Sequence, residues 1–258
     1  MSQVPIPQKG QSWMIDDILA RGVLRVAVIE EFPWLVGTKD RNGQPVFAGP
    51  AWTLASEYAK RLGVTAQTIP VDNEHKVSIV KDGGADLSLA PLAVTIERQK
   101  IVDFVEYSTS SLCLAGNRRN PKLTLAANVS DLDRPDIKLG YIVGTPVDTW
   151  ARERFQYLQL IPIKKSDANA PVEVAMTQEV DLVAVHNDAW PRLNRTYSEL
   201  VTFPKGRACL QSTEFATPMG LAVRKGDPVF LGWLNKIRDE LAGRLEQERN
   251  ALVLSDEE

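Results

Sequence analysis

Histidine and cysteine are the scarcest residues that could carry chemistry in this chain, with two of each. Cys113 and Cys209 lie far apart with no metal-ligand spacing, and His75 and His186 have no cysteine or histidine neighbour. A zinc site is therefore not expected, nor is any other metal or cofactor. A Cys113–Cys209 disulfide and two buried free thiols both fit the sequence, because sequence does not give the Cα separation a disulfide needs. No apolar run approaches the roughly 20 residues that span a bilayer. No long basic run exists either, and the net charge is −3, which disfavours nucleic acid and anionic membrane as partners. The N-terminal MSQVPIPQKGQ lacks the charged-then-apolar layout of a secretion leader. Either the protein is cytoplasmic or a leader has been removed.

What is present describes a globular α/β protein. The 258 residues are 44% hydrophobic and 24% charged, enough for one large domain or two lobes. Val23–Ile29 reads as a buried strand, and Glu30, Glu31, Phe32, Pro33 and Trp34 form a loop at its carboxyl end. Asn42-Gly43 marks a hairpin turn. Trp52, Ala55, Ala59 and Leu62 recur at helical spacing, with Gly63 placed as a C-terminal cap. A strand over 64–71, a helix over 76–81 and a strand from Asp86 complete a β-α-β-α-β order, which implies a parallel sheet with crossover helices.

The pattern then restarts. Strands are expected at 112–115, 137–143, 160–163 and 180–185. Helices are expected at 146–157, with Thr145 as cap and Pro146 at its first position, and at 171–178. Met219–Arg224 returns the chain as a strand. Asp227-Pro228 opens a last helix whose Phe230, Leu234, Ile237 and Leu241 form one stripe, with a frayed tail after Arg249. Trp52 and Trp190 read as packing residues and Trp34, on a loop, as a cleft residue. Ligands of open α/β sheets bind beyond the carboxyl ends of strands. Here those ends are Glu30–Trp34, Pro91–Arg98, Gly144–Pro146 and His186–Trp190.

The stretch Asp86–Tyr107, DLSLAPLAVTIERQKIVDFVEY, is the most informative. Asp86–Val94 is apolar enough for a strand buried on both faces. Thr95 can cap the next helix, so Arg98 falls in its first turn, where the helix dipole disfavours a cation. A cation there points to an anion site, although a simply solvated arginine fits the same residues.

In this order GVLRVAV, FPWL, LASEYAKRLGV, KDGGADLSLAPLAVTIERQKIVDFVEY, LGYIVGTPVDTW, EVDLVAV and MGLAVRKGDPVF resemble the family 3 solute-binding proteins of bacterial ABC transporters, of the polar amino-acid type. The resemblance spans about residues 20–245, and T-x-x-R followed by V-D-F-x-x-Y is its most specific part. It implies a two-lobed periplasmic-binding-protein-like fold, each lobe a mostly parallel sheet flanked by helices and joined by two hinge strands. Residues 1–108 with 215–258 would form lobe 1, and 109–214 lobe 2. The resemblance implies a non-enzymatic, monomeric, periplasmic protein that captures a small anionic or zwitterionic solute in an interlobe cleft for a membrane permease. Arg98 would clamp a ligand carboxylate, with Pro91 and Ala93 beside it, and Phe32 or Trp34 would cover the ligand. Gly144 and Thr145 would add N–H donors.

The chain also departs from the family pattern. Ala93 and Pro91 stand where small hydroxyl residues or glycine are common. His186 falls where the family's ammonium-binding aspartate usually lies, and Asp188 comes two residues later. A buried ammonium group with no carboxylate is costly. A carboxylate-bearing ligand without that amine, or a bulkier one, is therefore the expectation. The alternatives are a lyase resembling cyclohexadienyl dehydratase, recruiting Glu173 or His186 as proton donor, and a sensing or accessory domain that docks a partner protein.

Overall fold

The computed structural model describes residues 4–39, 41–43, 45–72, 74–143, 145–163 and 170–255. The chain forms two compact units. One runs to Thr109 and resumes over Thr217–Ser255; the other is Ser110–Ala216.

The first unit contains α1 (Trp13–Arg21), β1 (Val23–Val28), β2 (Val36–Lys39), β3 (Pro45–Ala48), α2 (Pro50–Leu62), β4 (Thr65–Pro70), α3 (Ser78–Lys81), β5 (Leu87–Ala93) and α4 (Ile96–Gln99). Its sheet has the order β4-β1-β5, all parallel. Side chains alternate across these strands. Leu24, Val26, Leu87 and Leu89 face a core that also holds Leu54, Tyr58, Phe230 and Leu234. Ala27, Ala90 and Leu92 face a second, smaller core with Val80 and Val102. The expected hairpin is β2 paired antiparallel with β3, and Gly63 ends α2 in the left-handed conformation at φ 68°.

β6 (Asp103–Asn117) then leads into the second unit, which contains β7 (Lys138–Ile142), α5 (Pro146–Arg154), β8 (Gln159–Ile163), α6 (Ala170–Met176), β9 (Leu182–His186), α7 (Trp190–Thr196) and β10 (Leu200–Phe203). β8, β7 and β9 are parallel, and β6 joins antiparallel to β9 on one edge and to β10 on the other. Alternation again sorts the core. Leu112 and Leu114 pack with Leu139, Trp150 and Phe203, while Cys113 packs with Val183, Val185 and Trp190. β11 (Glu214–Val223) carries the chain back, pairs antiparallel with β5, and leads to α8 (Pro228–Ser255).

Several expectations need correction. β6 is 15 residues long rather than four, because its first half is too mixed in polarity to read as a strand. α7 and β10 were not expected; both are short and lack a clear periodic signal. α8 does not fray after Arg249. Thr53 of α2 donates to Glu248 at 2.7 Å and Val253 is buried, so contacts with the rest of the unit hold the last turns. Trp190 is buried, as its packing role requires.

Candidate functional site

In the first unit, β1 and β5 are parallel neighbours, so their carboxyl ends emerge at the same edge of the sheet. The loop after β1 closes on itself: Trp34 N and Leu35 N both donate to the Glu31 carbonyl at 3.0 Å. In this turn Trp34 is 1% exposed and Phe32 is half-buried. The Trp34 indole Nε1 is buried with no hydrogen-bond partner among the described residues. Gly49 makes the turn's packing feasible: its φ is 102°, and a Cβ there would lie 2.5 Å from the Trp34 carbonyl oxygen. That oxygen accepts from Ala51 N at the start of α2.

β5 ends at Ala93, and Pro91 is buried within it. Thr95 caps α4 as expected, its hydroxyl accepting from Arg98 N at 3.3 Å. α4 is a single turn, however, so its dipole is small and the argument from a cation at a helix start loses most of its force. Another feature distinguishes Arg98. Its Nη1 donates to the Ala93 carbonyl at 2.8 Å, the residue is half-buried, and no carboxylate among the described residues pairs with it. Burial lowers its pKa, which Glu31 opposes. Arginine stays charged at neutral pH regardless.

Lys76 and Tyr107 belong to the same electrostatic neighbourhood. Burial lowers the pKa of Lys76; Glu31 opposes the shift and Arg98 adds to it. The Tyr107 hydroxyl is shielded from solvent with no hydrogen-bond partner among the described residues, and burial, then Glu31, pushes its pKa up. Sequence reasoning missed both as site residues. Tyr107 stood in the quoted V-D-F-x-x-Y motif; Lys76 gave no signal.

In the second unit, β7 and β9 are also parallel neighbours, so Thr145 and the segment after His186 emerge at one edge. Gly144 lies outside the described residues. Thr145 is the N-cap residue of α5 as expected, but its side chain makes no capping hydrogen bond: the hydroxyl donates back to the Ile142 carbonyl at 2.7 Å. Pro146 offers no N–H, and the first turn already holds Asp148, paired with Arg152 at 2.7 Å. His186 is exposed, with Nδ1 2.8 Å from Ser110 Oγ. Asp188 sits in a single 3-10 turn, Asn187–Ala189, and is 1% exposed. Cys113 and Cys209 form a disulfide with Cα atoms 5.7 Å apart, which decides the question the sequence left open. Among the described residues no group of three His, Cys, Asp or Glu could hold a metal ion, and no helix is long and apolar enough to cross a membrane.

Comparison with known proteins gives the following. The sequence model of bacterial extracellular solute-binding proteins, family 3, matches residues 24–247. No curated protein matches the chain in sequence. Among solved structures, an ancestral cationic amino-acid solute-binding protein, AncCDT-1, is 24% identical, with 93% of this chain and 99% of that chain covered and a TM-score of 0.68. A second structure of AncCDT-1, described as a precursor of cyclohexadienyl dehydratase, is 23% identical over 93% and 99% of the chains, with a TM-score of 0.67. The substrate-binding protein AbpA of an amino-acid ABC transporter from Streptococcus pneumoniae, bound to L-arginine, is 22% identical over 94% and 99%, with a TM-score of 0.69. These likenesses show the two-lobed binding-protein fold.

Proposed function

Because this chain belongs to the bacterial extracellular solute-binding proteins of family 3, we propose that it captures a small carboxylate-bearing organic solute in the periplasm and delivers it to the permease of an ABC-type importer. The observation that carries this reading is Arg98: a half-buried guanidinium, oriented by the Ala93 carbonyl, with no carboxylate of its own among the described residues. A guanidinium left in that state favours an incoming planar anion, which its fork can meet with two hydrogen bonds. The two compact units correspond to the two lobes. β6 and β11, which carry the chain across the boundary, serve as hinges that a ligand biases through its differential affinity for two states.

Phe32 is the aromatic with surface left to offer the solute; Pro91 and Ala93 shape the wall near Arg98. In the second unit the reading draws on His186 and Asp188. Thr145 turns both its hydroxyl and its N–H to the Ile142 carbonyl, at 2.7 and 3.4 Å, so a donor role there needs the solute to displace that carbonyl. The buried Asp188 also supports a zwitterionic ligand, and AncCDT-1 and AbpA are named for amino acids.

The test is a thermal-shift screen of L-arginine, L-lysine, their 2-keto acid counterparts and aromatic acids, followed by calorimetry. At least one carboxylate is expected to stabilise the protein. Arg98→Ala is expected to weaken that binding about 30-fold or more, since truncating one partner of a buried charge pair costs about 2–5 kcal/mol. Unchanged affinity in the variant would refute the anion placement. Preference for an amino acid over its keto acid assigns an ammonium site; the reverse leaves the carboxylate as the sole charged contact. A lyase role is the second reading, favoured by the likeness to a dehydratase precursor. Turnover of prephenate or arogenate would establish it.

A further inference from the structure

We propose that the Cys113–Cys209 disulfide and Asn187 form one brace that sets the position of His186–Asp188. The assignment of that segment to solute binding rests on the function proposed above, but the brace itself does not.

Asn187 is 4% exposed, and its amide is used on both sides. Its Oδ1 accepts from Ser111 N of β6 at 3.2 Å, and its Nδ2 donates to the Leu210 carbonyl at 3.0 Å. Leu210 lies in the 3-10 turn Gly206–Gln211, next to Cys209. The disulfide joins the same two elements, from Cys113 of β6 to Cys209 of the turn. A closed ring results. It runs along β6 from Ser111 to Cys113, across the disulfide to Cys209, one residue on to Leu210, and back through the Asn187 amide.

A primary amide suits this place because it donates and accepts at once, and two buried backbone groups need one of each. Cys209 Sγ also lies 3.9 Å from the Asn187 carbonyl oxygen, so the bond sits directly against the segment it steadies. Both cysteines are fully buried. One residue before Asn187, His186 faces β6, opposite Leu112 in register, with its ring at Ser110. The orientation of His186 is thus set on one side by the sheet and on the other by the brace. Without the disulfide the turn loses its covalent tie to β6 and keeps the Ser212 hydroxyl bond to the Leu112 carbonyl, so the Leu210 acceptor can draw away. Asn187 then keeps only one of its two anchors.

Hydrogen exchange followed by mass spectrometry on the full chain tests this with no ligand. In Asn187→Ala the amides of residues 187–190 should exchange at least 10-fold faster than in the parent, while those of β7 change less than 2-fold. In Cys113→Ala/Cys209→Ala the amides of 187–190 should also rise at least 10-fold, together with those of β7, because the whole unit loses stability. Proton NMR gives an independent reading, because His186 shares the histidine region with His75 alone. The His186 ring signals should move in both variants and the His75 signals should stay. Equal exchange at 187–190 in either variant overturns the proposal. So does a rise in β7 as large as that at 187–190 in Asn187→Ala, which would make the Asn187 amide a support of the whole unit. If the cysteine double variant does not fold, Asn187→Ala decides alone. Arg98→Ala should leave this exchange pattern unchanged, so the brace and the anion placement fail separately.

Discussion

Each unit starts its central strand with an aspartate, and the two aspartates do the same work with different partners. Asp86 precedes β5, accepts from Arg25 N of β1 at 2.8 Å, and returns its own N–H to the Arg25 carbonyl. Asp181 precedes β9, accepts from Lys138 N of β7 at 2.8 Å, and returns its own N–H to the Lys138 carbonyl. In both cases the carboxylate locks the register of two parallel strands at their start, far along the sheet from the ends that carry Arg98 and Asp188. The charge around the two differs. Asp86 meets Arg21 at 2.7 Å and Arg25 at 2.9 Å; Asp181 meets Lys122 at 2.9 Å and the Asn120 amide at 2.7 Å. One architecture is thus pinned by a local backbone exchange common to both units, and the surrounding ion pairs vary freely.

The units also differ in how they are closed. The first is closed by its chain ends. Buried Asp227 accepts from Ser12 Oγ at 2.7 Å, Met14 N at 3.0 Å and Phe230 N at 2.9 Å, so one carboxylate caps α1 and α8 together. The second is an insertion whose ends leave through β6 and β11, and a covalent bond does the closing. The largest expected effect sharpens this contrast. Removing the disulfide, whose cysteines are 96 positions apart, should lower the stability of the second unit by about 4.7 kcal/mol on the loop-entropy account. Urea unfolding read by hydrogen exchange should show the loss in β7 and β9 and none in β1 and β5. Asp227→Ala should do the reverse. It strands about three buried donors, and a loss of about 3 kcal/mol is expected in the first unit alone. Equal losses in both units from either change would break the comparison.

The paired aspartates give the next test. Asp181→Ala should cost about 3 kcal/mol, because the Asn120 amide it leaves behind is buried. Asp86→Ala should cost about 2 kcal/mol, since its arginines keep 28% and 27% exposure and can turn to water. Denaturant midpoints of the two variants check the order. A larger loss for Asp86→Ala would mean that the ion pairs, and not the buried amide, dominate.

Where the sequence was legible, burial made it so. The parallel strands β1, β5, β7 and β9 are covered on both faces, and continuous apolar runs announce that directly. Arg98 was legible by resemblance and by its place after β5. Its capping by Thr95 followed from local chemistry, yet the length of α4 did not, because one turn and three turns begin alike. Thr145 shows the opposite failure: a residue of capping type spent its hydroxyl on the preceding turn instead. Trp34 and the Cys113–Cys209 pair depend on distances across the fold, which no local pattern encodes. Lys76 and Tyr107 join the neighbourhood of Arg98 through the common influence of Glu31, again a relation of space and not of spacing.

The smallest effect expected concerns Asp133, which sets off the second unit in acid. Burial alone would raise its pKa, but the backbone N–H groups of Gln156, Tyr157 and Leu158 all donate to its carboxylate and hold it below the ordinary range. A depressed folded pKa means that protons bind the unfolded chain more tightly. The stabilisation is therefore fully present above the unfolded value of about 4 and is lost as pH falls through the folded value. Asp133→Asn keeps one acceptor oxygen and loses the charge, so about 1–2 kcal/mol should be lost at pH 7. The gap between parent and variant should stay constant from pH 7 to about 5 and narrow below about 4. Urea titrations across that range read it. A gap that widened in acid would show that the three N–H donors do not hold the ionised form, and that the turn after α5 is fixed by packing of Phe155 and Leu158 instead.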